Sequence, residues 1–181
     1  MPERASKEEP LTFVAIDFEI SGNYGPSACS IGMAKFHAGK LLEEYQSLIR
    51  PPSPDVKFTK VHGLRWRDLK DAPDFGQVWD EAKSFLSGAS YLAAHNAPFD
   101  SRILRACCEY YDQPEPGLAF LCTLKGSRRA LAIEAHNLKA VSDYFGFALN
   151  HHEAASDARN CGKILCKLLK MGLAPEDMLC G

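Results

Sequence analysis

The feature that most constrains the fold is a short apolar segment near the start of the chain, Thr-Phe-Val-Ala-Ile-Asp-Phe at residues 12–18. Its residues favour β-structure and do not alternate between apolar and polar, which is typical of a strand that is covered on both faces. Two acidic residues, Asp17 and Glu19, stand at the end of this strand. A chain with such a strand is expected to build a sheet with other layers packed against both of its sides.

Further segments follow in an order typical of an α/β fold. Strands are predicted at about 29–37 and 41–50, joined by a hairpin at Ala38-Gly39-Lys40, and again at 90–94 and near 119–122. Periodicity and capping signals predict helices at 74–87, 98–111, 124–132, 138–145 and 153–170. A hairpin beside strands that are joined through helices implies a mixed sheet flanked by helices.

Size and composition bound the organisation of the chain. The 181 residues correspond to about one domain, which we place at 11–171, with a disordered lead-in at 1–10 and a short C-terminal tail at 172–181. Hydrophobic residues make up 46% and charged residues 24%, which excludes wholesale disorder. The formal charge of −2 excludes a uniformly basic nucleic-acid coat, although it is compatible with a local basic groove.

Targeting signals and metal-binding cysteine patterns are missing from the sequence. The first ten residues are polar and the apolar run after them stops at Asp17, so no signal peptide is predicted. No stretch approaches the roughly 18 apolar residues of a membrane span. The seven cysteines have no regular spacing and form no Cys-x-x-Cys pair, which argues against disulfides and zinc. We therefore expect a soluble, cytoplasmic protein without a membrane partner.

Carboxylates inside apolar elements are the chemical anomaly of this sequence. Asp17 and Glu19 lie two residues apart on a strand and point to the same face, where burying both is costly without a cation. Asp100 falls in the first turn of a helix opened by Pro98, after a strand expected beside the first one. This places Asp100 near the other two. The alternatives are a strand that ends in solvent and an ordinary acid at a helix N-terminus.

A third segment, Asn-His-His-Glu-Ala-Ala-Ser-Asp at 150–157, adds His152 and Asp157. These two lie five residues apart, roughly 140° around a helix, so they converge only if His152 precedes the helix and Asp157 lies within it. The alternative is a surface histidine and a solvated acid. Together, four carboxylates and one histidine favour Mg²⁺ or Mn²⁺ held by oxygen atoms, with the imidazole as proton acceptor in phosphodiester hydrolysis.

The ordered set Asp17-Phe18-Glu19, His95-Asn96-Ala97-Pro98-Phe99-Asp100 and His152-(four residues)-Asp157 resembles the DEDD 3′–5′ exonucleases of the His type. This DnaQ-like group includes the proofreading epsilon subunit of bacterial DNA polymerase III. Val61-His62-Gly63-Leu64 and Leu121-Cys122-Thr123 are similar to further segments of the family. The resemblance covers about 11–170 and implies an RNase H-like fold, with a mixed five-stranded sheet and helices on both sides.

The resemblance also implies a different metal-binding role for each carboxylate. Asp17 would bridge two metal ions, Glu19 and Asp157 would complete one metal site, and Asp100 would serve the other. The implied reaction is metal-dependent 3′–5′ exonucleolytic hydrolysis of phosphodiester bonds, which releases 5′-mononucleotides. The implied partner is a single-stranded 3′ end of DNA, with RNA as the other candidate.

The family spacing assigns the general base to His152, with His151 as the neighbouring candidate. A related subtype has Tyr four residues before its last Asp, where this chain has Glu153, so the His subtype is indicated. One position departs from the pattern, because Ile20 stands where the family usually has Thr. In the family this stretch lies against the terminal nucleotide, so the change bears on sugar discrimination and on affinity for the 3′ end.

Substrate contacts are predicted from charge and aromaticity. Lys125 and Arg128 belong to a basic stretch without acids, and a second basic stretch runs from Lys57 to Lys70. Such stretches are otherwise solvated faces. The side chains that we expect to stack on, wedge against or touch the last nucleotides are Phe18, Ile20, His62, Asn96 and Phe99, of which Phe99 is equally a core candidate.

Two functions of different classes fit this sequence. One is an active 3′–5′ exonuclease, and the other is a catalytically silent nucleic-acid-binding or polymerase-associated module on the same fold. Silent modules typically lose one or more of the carboxylates, and none is missing here, so we favour the enzyme. The choice between DNA and RNA, the choice between proofreading, repair and RNA trimming, a polymerase partner and the oligomeric state are left open by the sequence.

Overall fold

A computed structural model of the chain describes residues 10–180, so the predicted disorder of residues 1–9 lies outside the described part. The strands are β1 (Thr12–Ile20), β2 (Ala28–His37), β3 (Lys40–Leu48), β4 (Tyr91–Ala94) and β5 (Ala119–Cys122). The helices are α1 (Thr59–His62), α2 (Trp66–Leu69), α3 (Phe75–Phe85), α4 (Ala97–Tyr110), α5 (Thr123–Ala130), α6 (Leu138–Tyr144) and α7 (Ala154–Lys170). A 3₁₀ helix, Pro175–Met178, follows α7. Between residues 10 and 180, no helix is long and apolar enough to cross a membrane.

The strands form one sheet in the order β3-β2-β1-β4-β5. β1 pairs antiparallel with β2 and parallel with β4, β2 pairs antiparallel with β3, and β4 pairs parallel with β5. The predicted mixed five-stranded sheet is therefore confirmed. Because β1, β4 and β5 run in the same direction, their carboxyl ends meet at one edge of the sheet, where ligands gather in open α/β folds.

β1 is buried on both faces, as its unbroken apolar sequence predicts. Val14, Ile16 and Phe18 pack into a core with α3 and α4, whereas Phe13 and Ala15 pack into a second core with α6 and α7. Side chains alternate along a strand, so Asp17 and Glu19 share the face of Phe13 and Ala15. The packing of the strand thus directs both carboxylates towards the α7 side of the sheet.

Local signals set most element boundaries. Asp74 caps α3 by accepting from the backbone N–H of Gln77, whose side chain accepts from the Asp74 N–H in return. Asn137 caps α6 in the same way through Ala140 N. α4 begins one residue earlier than Pro98, and its cap position, Asn96, adopts a left-handed φ of 80° without a side-chain cap bond.

The structure departs from the sequence-based expectations in short elements and at the C-terminus. α1 and α2 were not predicted, because four residues are too few to establish a helical period. The segment after residue 172 packs on the sheet edge: Met178 is fully buried, Leu179 forms a β-bridge with Leu121, and Cys180 N donates to Phe120 O. Cys180 is therefore partly buried, although its place in the predicted C-terminal tail favours an exposed thiol.

The N-terminus of α7 lies directly on the backbone of β2. A Cβ atom added at Gly32 would fall far inside van der Waals contact with the backbone carbonyl carbon and oxygen of Ala154 and the nitrogen of Ala155. Helix backbone atoms cannot move aside as a flexible side chain can. Gly32 therefore sets how closely α7 approaches the sheet.

Substituting Gly32→Ala is expected to lower the free energy of unfolding by roughly 1–3 kcal/mol, because the added methyl overpacks the contact between β2 and α7. Urea denaturation measures this change. Gly76→Ala is the matched control, since its added Cβ would meet the side chains of Asp74 and Tyr111 only at ordinary contact distance, and alanine favours helices. Equal stability of the two variants would show that α7 is not fixed by this contact.

Candidate active site

Three of the predicted carboxylates converge where β1 ends. Asp17 and Glu19 come from β1, and Asp157 comes from the first turn of α7, which packs on the same face. Each of the three offers an oxygen atom, and these oxygens all lie within 4.8 Å of one another. Asp17 and Glu19 are partly buried and Asp157 is 4% exposed, so this cluster lies at the boundary between solvent and core. Such spacing allows one ion to be shared among the three side chains.

Asp100 approaches the cluster from the other side of β1. It lies in the first turn of α4, is 2% exposed, and accepts a hydrogen bond from Phe18 N at 3.2 Å. This bond reaches the β1 backbone between Asp17 and Glu19, so it joins α4 to the strand at the site itself. The expected convergence of Asp100 with Asp17 and Glu19 follows from the parallel pairing of β1 with β4.

The pKa values of these carboxyl groups record both burial and crowding. Burial, and then the neighbouring charges of Asp100, Asp157 and Glu19, hold the pKa of Asp17 well above its usual range. Burial and the charge of Asp157 raise the pKa of Glu19 to about 7. Burial is also the main cause that raises the pKa of Asp100 to about 8. Each ionised carboxylate thus opposes the ionisation of the others.

The two histidines before α7 differ in their bonding. His151 Nδ1 donates to Asp157 Oδ2 at 2.9 Å, so this ring is fixed to a candidate metal ligand. His152 donates to the same oxygen only through its backbone N–H, at 3.3 Å, and has a left-handed φ of 68°. Its ring stacks on that of His151 at 3.9 Å between centroids. Within residues 10–180 the His152 ring takes part in no hydrogen bond, so both of its nitrogens are free.

A divalent cation fits the donor set that the chain provides. Asp157 Oδ2 accepts hydrogen bonds from the His151 ring and from the His152 backbone N–H. The other oxygen, Oδ1, is buried and has no hydrogen-bond partner within the described residues. A buried carboxylate oxygen without a donor is unfavourable unless a cation compensates it. The other atoms nearby that can bind a metal ion are the carboxylate oxygens of Asp17 and Glu19, and oxygen ligands suit Mg²⁺ or Mn²⁺ rather than a soft metal.

A cleft of about 260 Å³ opens over the carboxylates. We call it the active-site cleft, and its lining residues are Asp17, Phe18, Glu19, Ile20, Phe58, Val61, His62, Phe99, His151, His152 and Asp157. Four predicted substrate contacts therefore lie here: Phe18, Ile20, His62 and Phe99. Val61, which belongs to the family-like segment Val61-His62-Gly63-Leu64, was not predicted as a contact, and Phe58 was missed because a single apolar residue in a loop carries no signal in the sequence.

His62 is held in one orientation at the wall of the active-site cleft. Its Nε2 donates to Ile20 O at 3.2 Å, and its Nδ1 accepts from Leu64 N at 3.1 Å. Burial lowers the pKa of His62, which favours the neutral ring that these two bonds require. The neutral ring presents a flat surface beside Ile20 rather than a charge.

The remaining predicted contacts lie elsewhere. Lys125 Nζ donates to Leu179 O at 2.9 Å and so points to the C-terminal segment. Arg128 lies in the last turn of α5, and Asn96 forms the cap position of α4. Lys125, Arg128 and Asn96 do not line the active-site cleft.

His95 joins the elements behind Asp100. Its Nε2 donates to the carbonyl of His136 at 2.8 Å, which leaves Nδ1 to accept from the Thr123 hydroxyl at 2.9 Å. Burial lowers the pKa of His95 to about 4, so the ring is neutral, as this arrangement needs. These bonds join the turn before α4 to α5 and to the segment before α6.

Comparison with known proteins agrees with this geometry. A family model described as Exonuclease matches residues 14–165. The chain belongs to this exonuclease family. It is 31% identical over 164 residues to the DNA polymerase III PolC-type of Streptococcus thermophilus and 29% identical over 166 residues to that of Thermotoga maritima. Each match covers 88% of this chain, and the chain spans only 11% and 12% of those relatives. The predicted DnaQ-like 3′–5′ exonuclease family is confirmed.

Solved structures confirm the predicted RNase H-like fold. The structure of Exonuclease X in complex with 5′ overhanging duplex DNA has a TM-score of 0.74 at 22% identity, over 92% of this chain and 96% of that chain. A structure of 3′-end specific recognition of a histone mRNA stem-loop by a 3′-exonuclease has a TM-score of 0.77 at 14% identity. The match covers 96% of this chain and 86% of that chain.

In EDTA, the free energy of unfolding is expected to fall as pH rises from about 4 to about 8. The native state holds protons on Glu19 and Asp100 up to about pH 7 and about pH 8, whereas the unfolded chain releases them near pH 4. The native state therefore binds more protons in this window, and raising the pH favours unfolding. Urea titrations across the window measure the slope.

The variant Asp100→Asn is expected to flatten that profile, because it removes one of the crowded carboxyl groups. Asp143→Asn is the control, since Asp143 is exposed on α6 and pairs with Lys139. A stability that stays constant or rises with pH in the wild type would contradict the crowding of the four carboxylates.

Proposed function

We propose that the chain hydrolyses the terminal phosphodiester bond at the 3′ end of a nucleic acid strand and releases a 5′-mononucleotide, with two divalent ions as cofactors. The observation that carries this proposal is the oxygen cluster of Asp17, Glu19 and Asp157, with Asp100 against its other side. When bound, two Mg²⁺ or Mn²⁺ ions would activate a water and stabilise the leaving oxygen. Membership of the exonuclease family supports the same chemistry.

We assign the bridging role to Asp17, because it lies between Asp100 on one side and Glu19 and Asp157 on the other. After burial, the charges of Asp100, Asp157 and Glu19 all contribute to the raised pKa of Asp17, which supports this central position. Glu19 and Asp157 would hold one ion together, and Asp100 would serve the second. The Phe18 N–H fixes one oxygen of Asp100, so that carboxylate is oriented before substrate arrives.

His152 is the general base in this proposal. Its ring lies in the active-site cleft with both nitrogens free among the described residues, whereas Nδ1 of His151 is engaged by Asp157. Burial and the neighbouring His151 lower the pKa of His152, which keeps the imidazole neutral and able to accept the proton of the attacking water near pH 7. His151 orients Asp157 and thereby acts as a positioning residue.

The substrate class follows from the lining of the active-site cleft and from the relatives. Phe18, Phe99 and His62 offer flat or apolar surfaces to the terminal nucleotide, and stacking on such side chains is tolerant of sequence. The relatives are DNA polymerases, and one structural neighbour is in complex with DNA, so we propose single-stranded 3′ ends of DNA as the first substrate, with RNA second. Association with a DNA polymerase is a proposal that rests on the same relatives.

The function is tested with a 5′-labelled single-stranded oligonucleotide. The wild type is expected to shorten it stepwise from the 3′ end with Mg²⁺ or Mn²⁺ and to be inactive in EDTA. Asp17→Ala should abolish turnover, on the order of 10³-fold or more, while circular dichroism shows an intact fold. Asp71→Ala, an exposed acid outside the active-site cleft, is the matched control. A wild type that binds but never cuts would favour the silent nucleic-acid-binding module.

The assignment of the base is tested by two neighbouring variants. His152→Ala is expected to lower kcat by about 10²–10⁴-fold, the range for a general base, and to remove the acidic limb of the pH–rate profile. His151→Ala should reduce the rate less and should keep that limb, because it loses only the orientation of Asp157. Comparable losses in both variants, with the limb retained in His152→Ala, would assign the proton transfer elsewhere.

A further inference from the structure

A group of polar side chains lies behind the carboxylates, on the face of the sheet that α7 covers. Ala93 and Leu121 belong to the core on that face, and His95 and Thr123 follow them by two residues each. Because side chains alternate along a strand, His95 and Thr123 continue this face where β4 and β5 end. Their side chains lie side by side, with His95 Nδ1 2.9 Å from Thr123 Oγ1.

The hydrogen bonds of this group run in one direction. His95 Nε2 donates to His136 O, so Nδ1 accepts from the Thr123 hydroxyl. That hydroxyl has a single proton, and Ala94 O, at 3.4 Å, is the more distant acceptor. Its oxygen can then accept from the Cys161 thiol on α7, at 3.5 Å. We call the side chains of His95, Thr123 and Cys161 the Thr123 network.

The Thr123 network joins the two helices that carry Asp100 and Asp157. His95 directly precedes the turn into α4, whose first turn holds Asp100. Cys161 lies four residues after Asp157 on α7, so these two side chains share one face of that helix. A single hydroxyl therefore links both sides of the carboxylate cluster.

The start of α4 depends on this link. Its cap residue, Asn96, has a left-handed φ of 80°, and within residues 10–180 its side chain forms no cap bond. A capping side chain normally fixes the N-terminus of a helix. Here the His95 ring ties the chain before α4 to α5 and to the segment before α6. The ring thus anchors the end of α4 that carries Asp100.

The Thr123 network is also buried close to the carboxylates themselves. Thr123 is fully buried and Cys161 is 1% exposed. After burial, the charges of Asp100 and Asp17 contribute to the raised pKa of Cys161, which places the thiol near both. Loss of the Thr123 hydroxyl would leave buried polar partners unpaired, and such a defect is relieved when the elements around it shift.

We propose that Thr123 is a positioning residue for the pair of divalent ions. The Thr123 network sets where Asp100 on α4 lies relative to Asp157 on α7, so that both sides of the cluster hold metal together. This inference rests on the proposed metal-dependent function and adds a residue to it. Thr123 touches neither metal nor substrate in this role, and acts only through the two helices.

The test uses Thr123→Val, which keeps the shape of the side chain and removes its hydroxyl. Mn²⁺ binding is measured without nucleic acid, from the electron paramagnetic resonance signal of free Mn²⁺. We expect the affinity to fall by about 10–100-fold, the usual cost when a residue that orients metal ligands is lost. The Mn²⁺ concentration for half-maximal cleavage should rise by the same factor, whereas KM for a single-stranded DNA oligonucleotide should stay near its wild-type value.

Two further variants separate positioning from stability. Thr123→Ser retains the hydroxyl and is expected to restore the Mn²⁺ affinity. Ser142→Ala is the matched control, because the Ser142 hydroxyl is also fully buried and accepts from Asn160 Nδ2 on α7 at 3.2 Å. Asn160 keeps its bond to Ala148 O at 3.0 Å in that variant, so Ser142→Ala should lower stability and leave Mn²⁺ binding unchanged.

The outcomes distinguish this inference from the proposed function. Wild-type Mn²⁺ affinity in folded Thr123→Val, equal losses in Thr123→Val and Ser142→Ala, or no recovery in Thr123→Ser would overturn the positioning role and leave the nuclease activity standing. If circular dichroism shows that Thr123→Val is unfolded, Cys161→Ala, which interrupts the network only at α7, decides by the same measurements. A wild type that neither binds Mn²⁺ nor shortens the oligonucleotide overturns the proposed function, and the positioning role with it.

Discussion

Mutual repulsion among four acidic side chains is the constraint on which the rest of the molecule depends. Among residues 10–180, His151 bonds to Asp157 and the Phe18 N–H bonds to Asp100, but Asp17, Glu19 and Asp100 form no salt bridge with a cationic side chain. They are held together because both layers of the fold converge on β1, with α4 packed on one face and α7 on the other. The folding energy of two hydrophobic cores thus supports an arrangement that is unfavourable by itself until cations occupy it.

The sequence predicts the architecture well because its strongest signals, an apolar strand and a hairpin turn, follow directly from burial and from backbone geometry. The apolar run at 12–18 requires cover on both faces, and the hairpin at 38–40 fixes β2 beside β3. Once β4 is placed parallel to β1, the positions of Asp17 and Asp100 follow from chain direction. The strict alternation along β1 then orients Glu19 with Asp17.

Other parts of the site lie beyond what the sequence could supply. The bond between His151 and Asp157 depends on how a left-handed backbone at His152 orients two adjacent rings, and no residue pattern encodes that choice. The charge of Lys125 predicts a phosphate contact, whereas its amine donates to Leu179 O.

The backbone pairing of Leu179 and Cys180 with β5 has a practical consequence for truncating this domain or fusing it to others. Periodicity suggests a domain boundary at residue 171. Removing everything after it would expose the backbone hydrogen-bonding groups at the edge of β5 and would leave a cavity where Met178 packs against Gly126. A bare strand rim is a template for self-association. Truncated or fused versions should therefore retain these last ten residues if they are to stay dispersed in solution.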